Sequence, residues 1–419
     1  MTQDTRTAAG VRLFRLLIYA LILISAAAQF ALVPVMPVYA HRLGLSGFEE
    51  GMVLGATGLA TLAVSVPAGT LSDRFGARRI TLAGGLLMAL AMFAQAMAGS
   101  FGALLGARLA FGVGYGVVWT AGLCWLVDAG GGPPALGGSI ASAGVGGVAG
   151  PAASGTLTQH LGLAVPLLAA AAGFAVITAV LAALRALPGP AAARSASAAG
   201  LWATARDRDV IGAVTAVVIA GLTTGVFALL VPAQLHAAGA SSGRIGLDFA
   251  AAGVLFAAGS ALTAAAGRRA VNLPVIGLGM LAVTAALSLG VVSAAPSALI
   301  VMLCAATAAR SVLWTVSYPL ASAAAERGGT GLGAAVGLLN GVWAATAVLG
   351  PLAAGLAAEH LGARAVFGLT EAACAAALTV TAAVAWRSRL SARRAPGAAV
   401  PVPGAAEASF PLPSEVHRG

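Results

Sequence analysis

Residues 163–185 read LAVPLLAAAAGFAVITAVLAALR, a run that carries no charge until Arg185 closes it. About 20 apolar residues in a helix cross the roughly 30 Å of hydrocarbon in a bilayer. A helix also satisfies every one of its own backbone polar groups where no water is present. The run therefore predicts a membrane-spanning helix, and the pattern recurs. Runs of this kind lie near 14–40, 50–69, 80–98, 101–127, 135–159, 163–185, 210–235, 245–266, 271–293, 297–322, 331–357 and 364–386. The fold class this predicts is all-α and membrane-integral, with twelve transmembrane helices.

Composition agrees with that reading. Of 419 residues, 59% are hydrophobic and 9% are charged, and the mean hydropathy is +0.95. A soluble domain keeps roughly a quarter of its residues charged, enough to cover a water-facing surface. The net charge of +10 does not point to nucleic acid. Its 23 cations are all Arg and are scattered over short loops between apolar runs, so the pattern is one of topology. Cys124, Cys304 and Cys374 fall inside apolar runs without a CxxC or a nearby His, which reads as small buried hydrophobes and not as a disulfide framework. The first apolar run follows a short polar start with no small-residue cleavage site, and is expected to be a retained helix.

The arginines set the orientation. With the N-terminus inside, eighteen lie in inside segments, three in outside loops (Arg42, Arg244 and Arg364) and two, Arg108 and Arg310, within spans. Both termini are thus expected in the cytoplasm of a multi-pass protein of the cell inner (plasma) membrane. Six spans precede and six follow the stretch LPGPAAARSASAAGLWATARDRD. The expected organisation is an N-terminal six-helix bundle over 1–186, a cytoplasmic linker over 187–209, a C-terminal six-helix bundle over 210–390 and a disordered tail over 391–419.

The halves resemble each other. GPAASGTLTQHLG at 150–162 matches GPLAAGLAAEHLG at 350–362 in seven of thirteen positions, an offset of 200. PVYAHRLGLS from Pro37 parallels PAQLHAAGAS from Pro232 at an offset of 195, which pairs His41 with His236. Duplicated six-helix halves with a substrate site between them near mid-membrane are a transporter architecture.

After the second span stands GTLSDRFGARR, Gly69 to Arg79. It resembles the signature loop of the major facilitator superfamily, G-x-L-x-D-R-x-G-x-R-R. The resemblance implies a cytoplasmic conformational latch of Gly69, Asp73, Arg74, Gly76, Arg78, Arg79 and Asp128 that favours the outward-open state. Gly69 allows close helix contact, Asp73 can meet a helix N-terminus, and the three arginines can pair with Asp128. The alternative is that these arginines only set topology. The second half keeps Gly267-Arg268-Arg269 without the acid, so any such latch is one-sided.

Leu104-x3-Arg108-x3-Gly112-x-Gly114 resembles the family's second motif, which implies a role for Arg108 in proton coupling. The alternative is a structural arginine held by backbone or by Gln29. Gly146-x3-Gly150-Pro151-x2-Ser154-Gly155 resembles the motif of the family's antiporters, with Ser154 where Gly is usual; the resemblance is to the twelve-span drug:proton antiporter branch. Glu371, Arg310 and Asp248, at about 12, 20 and 6 Å from the outer surface at ~1.5 Å per residue, complete the candidates for proton coupling. Each acid has a bland alternative as a structural or interfacial residue. The first span has no acid, only Gln29, which argues against a cationic drug. Gln29, Tyr115, Trp119, Trp314, Tyr318 and Asn340, with Trp343, are the candidates for an aromatic substrate cavity suited to an apolar or amphipathic solute; each aromatic has an equal claim to be a packing residue. The outer histidines are either pH sensors or headgroup-level residues.

No phosphate loop, HExxH or pore-loop sequence occurs, so neither an enzyme nor a channel is expected, and no cofactor or metal. The function expected is secondary active export of a drug or metabolite by proton antiport with alternating access, by a monomer that binds a small molecule and protons. The alternative is uptake of a metabolite by facilitated diffusion or proton symport.

Overall fold

The computed structural model describes residues 3–130, 133–184, 207–327 and 332–394, and among these every regular element is helical. Most of the expected linker and residues 395–419 of the expected tail lie outside the described residues. The helices are α1 (Gln3–Ala31), α2 (Met36–Leu43), α3 (Gly47–Phe75), α4 (Ala77–Met97), α5 (Phe101–Val117), α6 (Leu123–Asp128), α7 (Pro133–Leu161), α8 (Val165–Ala183), α9 (Arg208–Ala237), α10 (Ser242–Ala265), α11 (Leu273–Val292), α12 (Pro296–Arg327), α13 (Leu332–Leu361) and α14 (Ala363–Arg394). A short 3₁₀ turn, Val33–Val35, joins α1 to α2, and a π turn, Val118–Gly122, joins α5 to α6, so each pair forms one span.

Among the described residues, eleven spans are long and apolar enough to cross a bilayer. The 29-residue α7 is as long but falls below that hydropathy, because seven of its residues are glycine. Chain chemistry sets the ends. Ser46, Ser100, Ser241 and Asn272 each accept a backbone N–H from the first turn of the helix that follows, and Ser46 with Glu49 forms a reciprocal capping box. Gly76, at φ +89, is the joint between α3 and α4, a conformation that a side chain would oppose.

Successive spans alternate in direction, so the molecule has two ends. One carries His41, His160, His236 and His360, near the ends of α2, α7, α9 and α13; we call it the His end. The other carries the Gly69–Arg79 loop and is the Arg end. α1 packs along α7, α3 along α5 and α13, α10 along α7 and α12, and α11 between α12 and α14. These contacts rest on small residues, as expected where lipid supplies no hydrophobic drive between helices. A Cβ on Gly146 or Gly150 would strike the carbonyl oxygens of Leu23 and Ala27, and one on Gly112 would sit 2.8 Å from the Thr57 carbonyl oxygen.

Candidate functional site

A narrow, open cavity lies where five spans converge. α1 and the turn after it contribute Gln29, Phe30 and Val33; α3 contributes Leu54, Thr57, Gly58 and Thr61; α5 contributes Arg108 and Tyr115; α9 contributes Thr224, Gly225 and Ala228; and α13 contributes Trp343, Ala347 and Pro351. The walls are mainly apolar, with a few hydroxyls and one cation, and no carboxylate lines them among the described residues.

Arg108 is 1% exposed. Its Nη2 donates to the Gln29 backbone oxygen at 2.7 Å and approaches the Gln29 side-chain oxygen at 3.4 Å, while its guanidinium lies 5.1 Å from the Phe111 ring centre. Its Nε and Nη1 are buried without a hydrogen-bond partner. The reason Gln29 offers a free carbonyl is local. Pro34 has no N–H and Pro37 follows it, so α1 stops at Ala31 and its last carbonyls lose their donors. Val35 N–H turns back to Leu32 oxygen, and the Ser154 hydroxyl of α7 donates to Ala31 oxygen at 2.6 Å instead.

Arg310 donates to the hydroxyl of Thr224 at 2.5 Å and lies 5.9 Å from the Phe256 ring centre. It therefore reaches the cavity wall from α12 through Thr224. Of the expected aromatics, Tyr115 lines the cavity and stacks at 5.8 Å on Trp119, which stands in the π turn. Trp314 packs on Tyr318 at 5.3 Å and on Trp343 at 6.1 Å, and the Tyr318 hydroxyl donates to Asn340 at 2.7 Å. Trp343 alone of this second cluster lines the cavity, so the structure brings Gln29, Tyr115 and Arg108 together and sets Trp314, Tyr318 and Asn340 beside them.

Two candidate acids stand elsewhere. Glu371 accepts from the Ser288 hydroxyl at 2.6 Å, between α11 and α14. Asp248 pairs with Arg244 one turn earlier on α10, 3.0 Å away. In the signature loop, Arg78 donates to the carbonyl oxygens of Ala182 and Leu184 at the end of α8, at 2.7 and 2.9 Å, and Arg74 lies over Phe75. Gly69, Asp73, Arg74, Gly76 and Arg79 share that Arg end with Asp128, the last residue of α6.

At the His end the chain before residue 185 meets the chain after 207 twice, in matching fashion. On α7, Pro151 and Gly155 approach Gly246 and Ser242 of α10 so closely that no Cβ fits, and Gln159 accepts from the Ser241 hydroxyl at 2.9 Å. On α13, Pro351 and Gly355 approach Gly51 and Gly47 of α3 in the same way, and Glu359 accepts from Phe48 N–H at 2.8 Å. The offsets are 200 (351 − 151, 355 − 155, 359 − 159) on one side and 195 (246 − 51, 242 − 47) on the other, the two offsets of the sequence repeat.

Sequence reading missed Thr57, Thr61 and Thr224 as cavity residues, and also the π turn. The paired Thr223-Thr224 in an otherwise apolar span was the available signal.

Comparison with known proteins agrees with this geometry. The sequence model described as Major Facilitator Superfamily matches residues 18–221. The chain is 34% identical over 86 residues to the quinolone resistance protein NorA of Staphylococcus aureus, 20% of this chain and 22% of that one. It is 33% identical over 98 residues to the arabinose-proton symporter of Bacillus subtilis, 23% and 21% of the two chains. The matches thus span about a fifth of the length of these curated relatives. Among solved structures, a bacterial homolog of the human lysosomal transporter Spinster, inward-facing and unoccupied, superposes with a TM-score of 0.68 at 15% identity, covering 92% of this chain and 97% of that one. A variant of the nucleoside transporter NupG gives 0.69 at 14% identity, covering 88% and 99%.

Proposed function

We propose, from the premise that this chain belongs to the major facilitator superfamily, that it is a secondary active transporter exporting a small organic solute in exchange for protons. In this reading twelve transmembrane helices form two pseudo-symmetric six-helix bundles that rock about the central cavity. The recurrence of the His-end contacts at offsets of 200 and 195 supports the duplication. The Arg end, with both termini, is cytoplasmic, and the protein acts as a monomer in the plasma membrane. Closure at the His end then makes this an inward-facing state, and the Gly69–Arg79 loop with Asp128 acts as the latch of the opposite state.

The observation that carries export is α7. Its small-residue motif of Gly146, Gly150, Pro151 and Gly155 seats one helix against both α1 and α10, so one motif serves packing within a half and closure between halves. Similarity to NorA supports the same direction. Arg108 is the coupling residue this reading favours, because it alone of the four candidates lines the cavity. Glu371, Arg310 and Asp248 act, if at all, from outside it. The similarity to an arabinose-proton symporter supports a second reading, metabolite uptake by proton symport.

The test is proton movement in everted membrane vesicles energised to an acidic interior. Addition of norfloxacin, a quinolone, is expected to collapse the pH gradient where the protein is present. The collapse should slow at least tenfold in Arg108→Ala, with Glu371→Gln the control for a carboxylate route. Solute uptake accelerated by an inward proton gradient in right-side-out vesicles would overturn export in favour of symport.

A further inference from the structure

We infer that the solute is an organic anion, an aromatic carboxylate whose charged end lies on Arg108 and Thr57. This rests on the transport reading above and names its substrate class. A guanidinium in an apolar, water-poor site carries a heavy desolvation cost unless an opposite charge or a full set of acceptors meets it. Arg108 has one acceptor residue, Gln29, for its Nη2, and its Nε and Nη1 have none, although the side chain is 1% exposed and lines the cavity. The Thr57 hydroxyl, on the same wall, is likewise buried without a partner. Two nitrogens of Arg108 and the Thr57 hydroxyl, on two residues that line the cavity, are thus buried without an acceptor among the described residues.

Among the described residues, no carboxylate lines the cavity or pairs with Arg108. Glu359 and Glu49 accept at the first turn of α3, Asp248 pairs with Arg244 and Glu371 accepts from Ser288. A second cation, Arg310, reaches the wall through Thr224. The site therefore repels a cation and is completed by an anion. Phe30, Leu54, Tyr115, Trp343 and Ala347 give the wall an apolar, partly aromatic surface, which fits a flat apolar body and not a bare inorganic ion.

The test is binding to the detergent-purified full chain of three matched probes: 1-naphthoate, 1-naphthylmethanol and 1-naphthylmethylammonium. The wild type is expected to bind naphthoate at least tenfold more tightly than the alcohol, and the ammonium probe most weakly. In Arg108→Gln the preference for naphthoate over the alcohol should vanish while the alcohol still binds, which shows that the site has kept its shape. Thr57→Val should weaken naphthoate three- to tenfold, and Arg108→Lys should restore part of the preference. Equal binding of the three probes, no saturable binding of naphthoate, a preference unchanged in both Arg108→Gln and Thr57→Val, or displacement of naphthoate by equimolar chloride or phosphate would each overturn the inference. Counterflow of the probes in proteoliposomes separates the two proposals. An Arg108-dependent anion site without counterflow sinks the transport reading alone, and counterflow without charge preference sinks the anion alone.

Discussion

Arg108 and Ser154 do the same work for the backbone of α1. Both donate to carbonyls released where Pro34 and Pro37 break the first span, Arg108 to Gln29 and Ser154 to Ala31. Inside a membrane an orphan carbonyl finds no water, yet measured side-chain hydrogen bonds between membrane helices average only about 0.6 kcal/mol. Ser154→Ala and Ser154→Gly are therefore both expected to lower stability by about 1 kcal/mol, read as a small fall in the thermal unfolding midpoint in detergent. Unchanged midpoints in both would mean that the Ala31 carbonyl finds another donor at no cost. Arg108 was legible in the sequence because a charge inside an apolar run has no cheap explanation. Thr57 and Thr224 were not. Most hydroxyls in these helices, such as Ser25 on Leu21 and Thr284 on Met280, simply bond the carbonyl one turn back. Nothing in a sequence separates such a threonine from one that turns to a cavity.

Among the elements, α7 shows why small residues stand where they do. Gly146, Gly150 and Gly155 have backbone of α1 or α10 where a Cβ would be, whereas Gly144 and Gly137 of the same helix face open space. Gly150→Ala is expected to force the helices apart at a cost of about 1–3 kcal/mol. Gly144→Ala should be neutral or slightly stabilising, since alanine suits a helix better by roughly 1 kcal/mol. Melting midpoints of the two variants side by side decide the matter, and an equal loss in both would refute the contact argument. The spacing of these glycines was readable in the sequence, and so was the all-helical chain of apolar spans. The ends were less so. The run expected at 50–69 became Gly47–Phe75, because hydropathy reports the lipid zone while the helix continues past it into its Ser46 cap and its charged last turn. The break after Ala31 and the π turn at Val118–Gly122 leave no hydropathy trace at all, since both sit within unbroken apolar runs.

At the scale of the whole molecule, the two contacts at the His end are, in the proposed transport reading, what closes the cavity on that side. Their repetition was legible as seven matches over thirteen positions, but their partners were not, because α3 and α10 share no obvious similarity over the segments that receive them. The pair is also uneven: Gln159 offers a neutral acceptor to Ser241, and Glu359 offers a charged one to the N-terminal turn of α3, where an anion is favoured. A neutral hydrogen bond contributes about 1 kcal/mol and a charged one about 1.5–3 kcal/mol. Removing both in Gln159→Ala/Glu359→Ala takes away at least about 2 kcal/mol, a shift of roughly thirtyfold toward the state open at the His end, given that 1.4 kcal/mol is tenfold. The shift can be read at Thr57, which is 1% exposed and lines the cavity. In a background with Cys124, Cys304 and Cys374 changed to Ser, a Thr57→Cys probe should react slowly with an impermeant maleimide supplied from the His end. The double alanine variant should speed that reaction by more than tenfold, and Glu359→Gln, which keeps an acceptor oxygen, by clearly less. A labelling rate indifferent to all three changes would show that glycine-to-backbone packing at Gly51, Gly155, Gly246 and Gly355 closes the His end without help from either acceptor.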